Sequence, residues 1–227
     1  MDFMRLLKSI EELLYELISW VIFYPLTLWR IIRHPLATLG YAERELQQPE
    51  EQQFDDAVSP PILLLVSLGL VHVLSRTVLE DAPAMTGIFA DERNLLAFRA
   101  IMFSMFPLLF SLIQLRVERA RVTRSIFKPI FYAQCYATVP FVISLTLGLL
   151  FMSDETDMVS MMVGLGLMLT GLVWYGVVQA LWLSITSKLH IGWAVATVML
   201  TLAFAVPLVG LIGIVVGAAS SGITLLE

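Results

Sequence analysis

Charge is scarce in this sequence. Only 15% of its 227 residues are Asp, Glu, Lys or Arg, against 58% that are hydrophobic, whereas a water-soluble domain carries about 25% charged and about 45–50% apolar residues. The deficit excludes an ordinary soluble globule, because too little polar surface remains to face water. Cysteine is nearly absent as well. Cys135 stands alone inside an apolar run, so no internal disulfide forms, and the residue is expected to pack rather than react. A basic excess is lacking too: the formal net charge is −5, which excludes the basic face that a nucleic-acid partner needs. No secretory leader is expected, because Glu11, Glu12 and Glu16 stand where its apolar core would begin.

Catalytic signatures are missing in the same way. His34, His72 and His190 are dispersed along the chain, and no HExxH, paired cysteine, GxSxG or phosphate-binding glycine loop occurs. No Asp or Glu falls in the middle of an apolar run, which removes the intramembrane carboxylate that proton-coupled transporters usually need. The sequence therefore predicts a protein that is not an enzyme and holds no metal or cofactor.

Long apolar segments supply the fold class. Roughly 20 apolar residues on a helix match the hydrocarbon thickness of a bilayer. Five segments qualify, at about 60–78, 94–115, 129–152, 158–186 and 193–218. Ser59 is a plausible N-cap for the first, and Pro60 suits the first helical position because its missing N–H costs nothing there. The expected architecture is an all-α membrane bundle of five transmembrane helices over residues 59–227, preceded by a cytoplasmic or interfacial region, 1–58. In that region Phe3, Leu6, Leu7, Ile10, Leu13, Leu14, Leu17 and Ile18 recur at helical spacing opposite Arg5, Lys8 and Glu12, which predicts an amphipathic helix lying in the membrane interface or on the bundle end. The run from Leu17 to Trp29 is too short to span and contains Pro25, so it reads as interfacial or shallowly re-entrant. Trp20, Tyr24 and Trp29 suit headgroup depth, and Arg30, Arg33 and His34 are placed to reach anionic phosphates. Residues 41–58, rich in Glu and Gln, read as a short helical continuation followed by an aqueous connector.

Loop charges give an orientation. Arg116, Arg119, Arg121, Arg124 and Lys128 flank the turn between the second and third spans, and Lys188 lies between the fourth and fifth. The turn between the third and fourth carries Asp154, Glu155 and Asp157 with no base. Lys and Arg are retained on the cytoplasmic side, so the N-terminus is expected inside and the C-terminus on the opposite side.

Polar and small residues within the spans mark candidate sites. His72 and Arg76 share a helix face, and Arg99 lies in the second span near the same end. They form a possible outer-leaflet polar cluster for a lipid headgroup or anion. The plainer reading is preferred: both arginines snorkel to the surface and pair with Glu80, Asp91 or Glu92. Gln134 and Gln179 are placed to hydrogen-bond between helices. Gly213 and Gly217, with Gly210 beside them, form a small-xxx-small face that suits close helix packing, within the bundle in preference to a homodimer. Gly164, Gly166, Gly171 and Gly176 give the fourth span a similar stripe. Pro107, Pro140 and Pro207 predict kinks.

Short segments add a resemblance. IIRHPLATL at 31–39, YATVP at 136–140 and HIGWAVATVML at 190–200, together with the five-span plan over roughly 20–227, resemble bacterial members of the Yip1-domain family of small membrane proteins. The D-L-Y-G-P-type segment of eukaryotic members is absent, so no GTPase partner is carried over. The resemblance implies a non-enzymatic scaffold or accessory subunit in a bacterial inner membrane, contacting lipids and another membrane protein or a second copy of itself. The alternative is a permease-like transporter of a lipid or small solute, which would need a continuous polar path across the bundle.

Overall fold

The structure, a computed structural model, describes residues 2–78, 89, 91–153 and 157–220. Helix α1 covers Asp2–Arg33, α2 Pro35–Glu45, α3 Pro60–Val78, α4 Glu92–Val117, α5 Arg124–Phe151, α6 Met158–Thr186 and α7 Ile191–Ser220, with one 3₁₀ turn at Glu50–Gln52. No strand occurs among the described residues. The last five helices are each long and apolar enough to cross a membrane, and the chain is an integral membrane protein.

Helix α5 is the axis of the bundle. Half of its most apolar window is buried, more than in any other candidate span, and it packs against α2, α3, α4 and α6. Small side chains allow this: Ala133, Cys135 and Ala137 are buried on it, and near its other end Gly148 faces α6. A Cβ at Gly164 would come within 2.5 Å of the Gly148 carbonyl oxygen, and a Cβ at Gly171 would collide with Ser144. Ser144 Oγ donates to the Leu167 carbonyl across the same seam. The two backbones approach closely because glycine has no side chain to hold them apart. Of the fourth-span glycine stripe, Gly164 and Gly171 serve this contact, whereas a Cβ at Gly166 meets nothing.

An aromatic cluster fills the middle of the bundle. Phe141 stacks on Tyr175 at 4.9 Å, with Phe110 edge-on to Tyr175 at 5.3 Å and Phe106 edge-on to Phe141 at 5.1 Å. Helices α4, α5 and α7 run unbroken through Pro107, Pro140 and Pro207. Ser111 Oγ donates back to the Pro107 carbonyl at 2.6 Å, an i−4 bond that keeps the hydroxyl satisfied inside the bundle.

At the end that carries most of the Arg and Lys residues, the basic end, two turns lie side by side, joined by Ser187 Oγ donating to Glu118 Oε1 at 3.3 Å. Helix α4 ends there without glycine: Arg119 takes φ 53°, the Ala120 N–H reaches the Leu115 carbonyl and the Arg119 N–H that of Arg116. This is the Schellman arrangement. Lys188, at φ 52°, takes the same left-handed conformation after α6.

The N-terminal region departs from expectation. Residues 17–29 are not set off at Pro25: α1 is one continuous helix from Asp2 to Arg33. Proline removes one N–H from the ladder, the one that would reach the Val21 carbonyl, yet the helix continues, with Phe23, Tyr24 and Leu28 packed on the core and Thr27 Oγ1 bonded back to the Phe23 carbonyl at 2.6 Å. The described side chains from Met4 to Ile18 are exposed. The connector after α2 is exposed from Gln47 to Gln52 and tied down around that stretch. Glu45 accepts the Phe54 N–H at 2.8 Å and Gln48 Nε2 at 2.9 Å, and Val58 is held on both sides: its N–H reaches Thr27 Oγ1 at 3.2 Å and its carbonyl accepts from Tyr136 at 2.6 Å. Ile31, Leu39 and Ala42 belong to the same core as the spans.

Candidate functional site

Helices α1 and α2 meet at an elbow, Arg33-His34-Pro35, at the basic end. Pro35 opens α2 at a position where no N–H is required. Beside the elbow, Asp56 collects two donors: Arg30 Nη1 at 2.8 Å and the Tyr41 hydroxyl at 2.6 Å. The Tyr41 hydrogen bond and the Arg30 charge hold the Asp56 carboxyl below its usual range. Burial, then the Asp56 carboxylate, pushes the Tyr41 phenol up. Arg33 lies over the Trp29 ring at 5.9 Å, a cation–π contact. Of the five interfacial anchors read from sequence, Trp29, Arg30 and Arg33 are exposed. Trp20 and Tyr24 instead turn toward the bundle, where the Tyr24 hydroxyl meets Ser67 Oγ at 3.0 Å.

The elbow encloses a cleft of about 250 Å³, lined by Thr27, Arg30, His34, Tyr41 and Tyr136 among others. A second, apolar groove of about 530 Å³ runs from His34 and Ala37 along Trp174, Val177 and Leu181 of α6. His34 and Ala37 line both.

At the opposite end, His72, Arg76 and Arg99 do come together. Arg99 Nη1 lies 3.2 Å from His72 Nδ1; with the guanidinium as donor, the imidazole accepts and is neutral. Arg76 pairs with Glu92 through Nε at 3.0 Å and Nη2 at 2.9 Å. Thus Arg76 has the acidic partner expected of a snorkelling arginine, whereas Arg99 meets an imidazole. Both contacts tie α3 to α4. Glu80 and Asp81 lie outside the described residues, as do Asp154 and Glu155 of the far turn.

The glycine face of α7 is placed differently from the preferred reading. A Cβ at Gly210, Gly213 or Gly217 meets nothing within 4 Å, and Leu211 and Ile214 beside them are exposed. The buried apolar residues of α7 are Ala194, Val198, Leu202 and Ala205, and at Gly210 and Gly213 there is room for a side chain.

Gln134 and Gln179, both buried, do bridge α5 and α6: Gln179 Nε2 donates to Gln134 Oε1. A further polar chain was not foreseen. Trp182 Nε1 donates to Gln114 Oε1 at 3.2 Å, and Gln114 Nε2 donates to Glu118 Oε1 at 3.1 Å. Gln114 stands near a span end, where a polar residue signals only a boundary. Glu43, on α2, is raised by burial and by the Glu118 charge to about 7. Among the described residues, no buried side-chain polar atom lacks a partner, and no three His, Cys, Asp or Glu residues group as metal ligands do.

No family model, curated protein or solved structure matches the chain. The functional reading rests on geometry and on the sequence.

Proposed function

We propose that this integral membrane protein is a non-enzymatic scaffold or accessory subunit, similar in plan to Yip1-domain proteins, that acts through helix contacts with another membrane protein or a second copy of itself. The observation that carries the reading is a contrast between glycines. Those of α5 and α6 already hold two backbones together, whereas a Cβ added at Gly210 or Gly213 would meet nothing within 4 Å, and Leu211 and Ile214 beside them are exposed. Small residues let helix backbones approach, and van der Waals packing then drives association in lipid. The interior supports the same reading: Gln114, Gln134, Gln179 and Trp182 are hydrogen-bonded among themselves and to Glu118, with the aromatic cluster beyond them. The reading places the basic end, with the N-terminus, in the cytoplasm of a bacterial cell and the C-terminus across the inner membrane.

The second reading, a permease for a lipid or small solute, draws on the apolar groove of about 540 Å³ between α6 and α7 that ends at Pro207. Gentle extraction followed by intact-complex mass measurement separates the two. A partner or an oligomer, lost in Gly213→Leu, is the expected result. A lone monomer that moves solute in liposomes overturns the scaffold reading.

A further inference from the structure

We infer that the elbow between α1 and α2 is a binding site for one phosphate-bearing glycerolipid from the leaflet at the basic end, with the phosphate against Arg30, Arg33 and His34 and an acyl chain along Trp174, Val177 and Leu181 of α6. The site does not depend on the scaffold reading.

Its shape is amphiphilic. A cleft of about 250 Å³, with Arg30, His34 and Tyr41 among its lining residues, adjoins an apolar groove of about 530 Å³, and His34 and Ala37 line both. Their sizes fall in or near the range of about 300–1,000 Å³ usual for small-molecule sites. A free anion would fill only the first, and an apolar helix from another protein would leave the first unfilled. A molecule with a charged head and a hydrocarbon tail fits both.

The mouth offers donors suited to a phosphate. Most polar groups around the cleft are already engaged: Thr27 with Phe23 and Val58, Tyr41 with Asp56, Tyr136 with Val58. Asp56 is committed through both of its oxygens, to Arg30 and Tyr41. What remains is donor capacity. Among the described residues, Arg30 uses Nη1 on Asp56, which leaves Nε and Nη2 for a phosphate, and Arg33 lies over the Trp29 ring. Arg30 and His34 line the cleft, and Arg33, exposed next to His34 in the chain, brings a second guanidinium to the same elbow. Arginine suits a phosphate because its planar fork bonds two oxygens at once. The tail side also has a defined floor: Val178 is buried, while Val177 and Leu181 are exposed along the same face of α6, next to Leu36 of α2.

The test uses the full chain purified in detergent. Phosphatidylglycerol, phosphatidylcholine and inorganic phosphate are titrated separately, with bound lipid read by intact mass and protection by thermal unfolding. Expected are one tightly retained phosphatidylglycerol, weaker phosphatidylcholine and no shift with inorganic phosphate. The double variant R33Q/H34Q, which keeps both Asp56 contacts and gives up only the exposed Arg33–Trp29 ring contact, should weaken phosphatidylglycerol by about tenfold, the factor that follows from about 1.4 kcal/mol. Val177→Trp should weaken both lipids by obstructing the groove. Phosphatidylglycerol brominated in its acyl chains should quench tryptophan emission less in Trp174→Phe than in the parent, a readout that needs no binding-defective variant. Equal retention of both phospholipids with no effect of R33Q/H34Q would mean ordinary surrounding lipid and overturn the site. So would protection by inorganic phosphate alone, or unchanged quenching in Trp174→Phe.

Discussion

Replacing Gln134 and Gln179 with leucine, singly and together, tests the interior of the bundle most directly. The two side chains are 1% and 2% exposed, and Gln179 donates to Gln134 across the α5–α6 seam. Gln179→Leu leaves the Gln134 carbonyl buried without that donor, and Gln134→Leu leaves the Gln179 amide without its acceptor. Either orphaned group costs about 1–3 kcal/mol. The double variant removes both and refills the space with hydrocarbon, so its cost falls below the sum of the singles. The difference, the coupling, should lie between about 0.6 kcal/mol, the average measured for such membrane bonds, and about 1.7 kcal/mol, the largest. Cys135 provides the assay. It is the only thiol in the chain, is 1% exposed and neighbours Gln134, so a thiol-reactive fluorophore reports opening of the core during heating in detergent. Single-variant costs that add to within about 0.3–0.5 kcal/mol would show that the two amides do not meet.

Three other outcomes follow from the geometry. Glu43 titrates near 7 in the folded protein, against 4.5 for the ordinary side chain. The folded state therefore keeps a proton that the unfolded chain releases between those values, and stability falls as pH rises through that window. Glu43→Gln should raise the melting temperature at pH 8 and leave it unchanged below pH 4.5; parallel pH profiles would refute this. Gly164→Leu should destabilise by about 1–3 kcal/mol or more, because overpacking the α5–α6 seam forces the backbones apart, whereas Gly213→Leu should leave the unfolding of the monomer unaltered. Arg76→Ala should cost no more than about 1 kcal/mol, less at high salt, because the pair with Glu92 is about half exposed; a larger loss would point to a role beyond that pair.

The spans were legible because lipid imposes a strong pattern: the first runs Pro60–Val78 and the fourth Met158–Thr186, as read from the residues. The N-terminal region was less so. Pro25 and the shortness of the 17–29 run argued for a break, but Phe23, Tyr24 and Leu28 pack on the core and Thr27 bonds Val58, which are tertiary facts. The polar chain shows the same division. Gln134 and Gln179 stand out as amides in hydrocarbon, yet nothing local pairs residues 45 positions apart, and Trp182, 68 positions from Gln114, resembles any interfacial tryptophan. The α7 glycines were recognised as a contact face, but whether a face is covered is decided by how the neighbouring helices stack. His72, Arg76 and Arg99 converge because α3 and α4 pack side by side, a neighbourhood the topology suggested without fixing its partners.

Val58 has a mechanical consequence. A residue outside any helix, it is clasped by a threonine from α1 through its N–H and by a tyrosine from α5 through its carbonyl, at the doorstep of α3. The N-terminal arm is thereby coupled in series to the axis of the bundle with little slack. Any load that moves α1 is borne at that clasp and shared between α3 and α5.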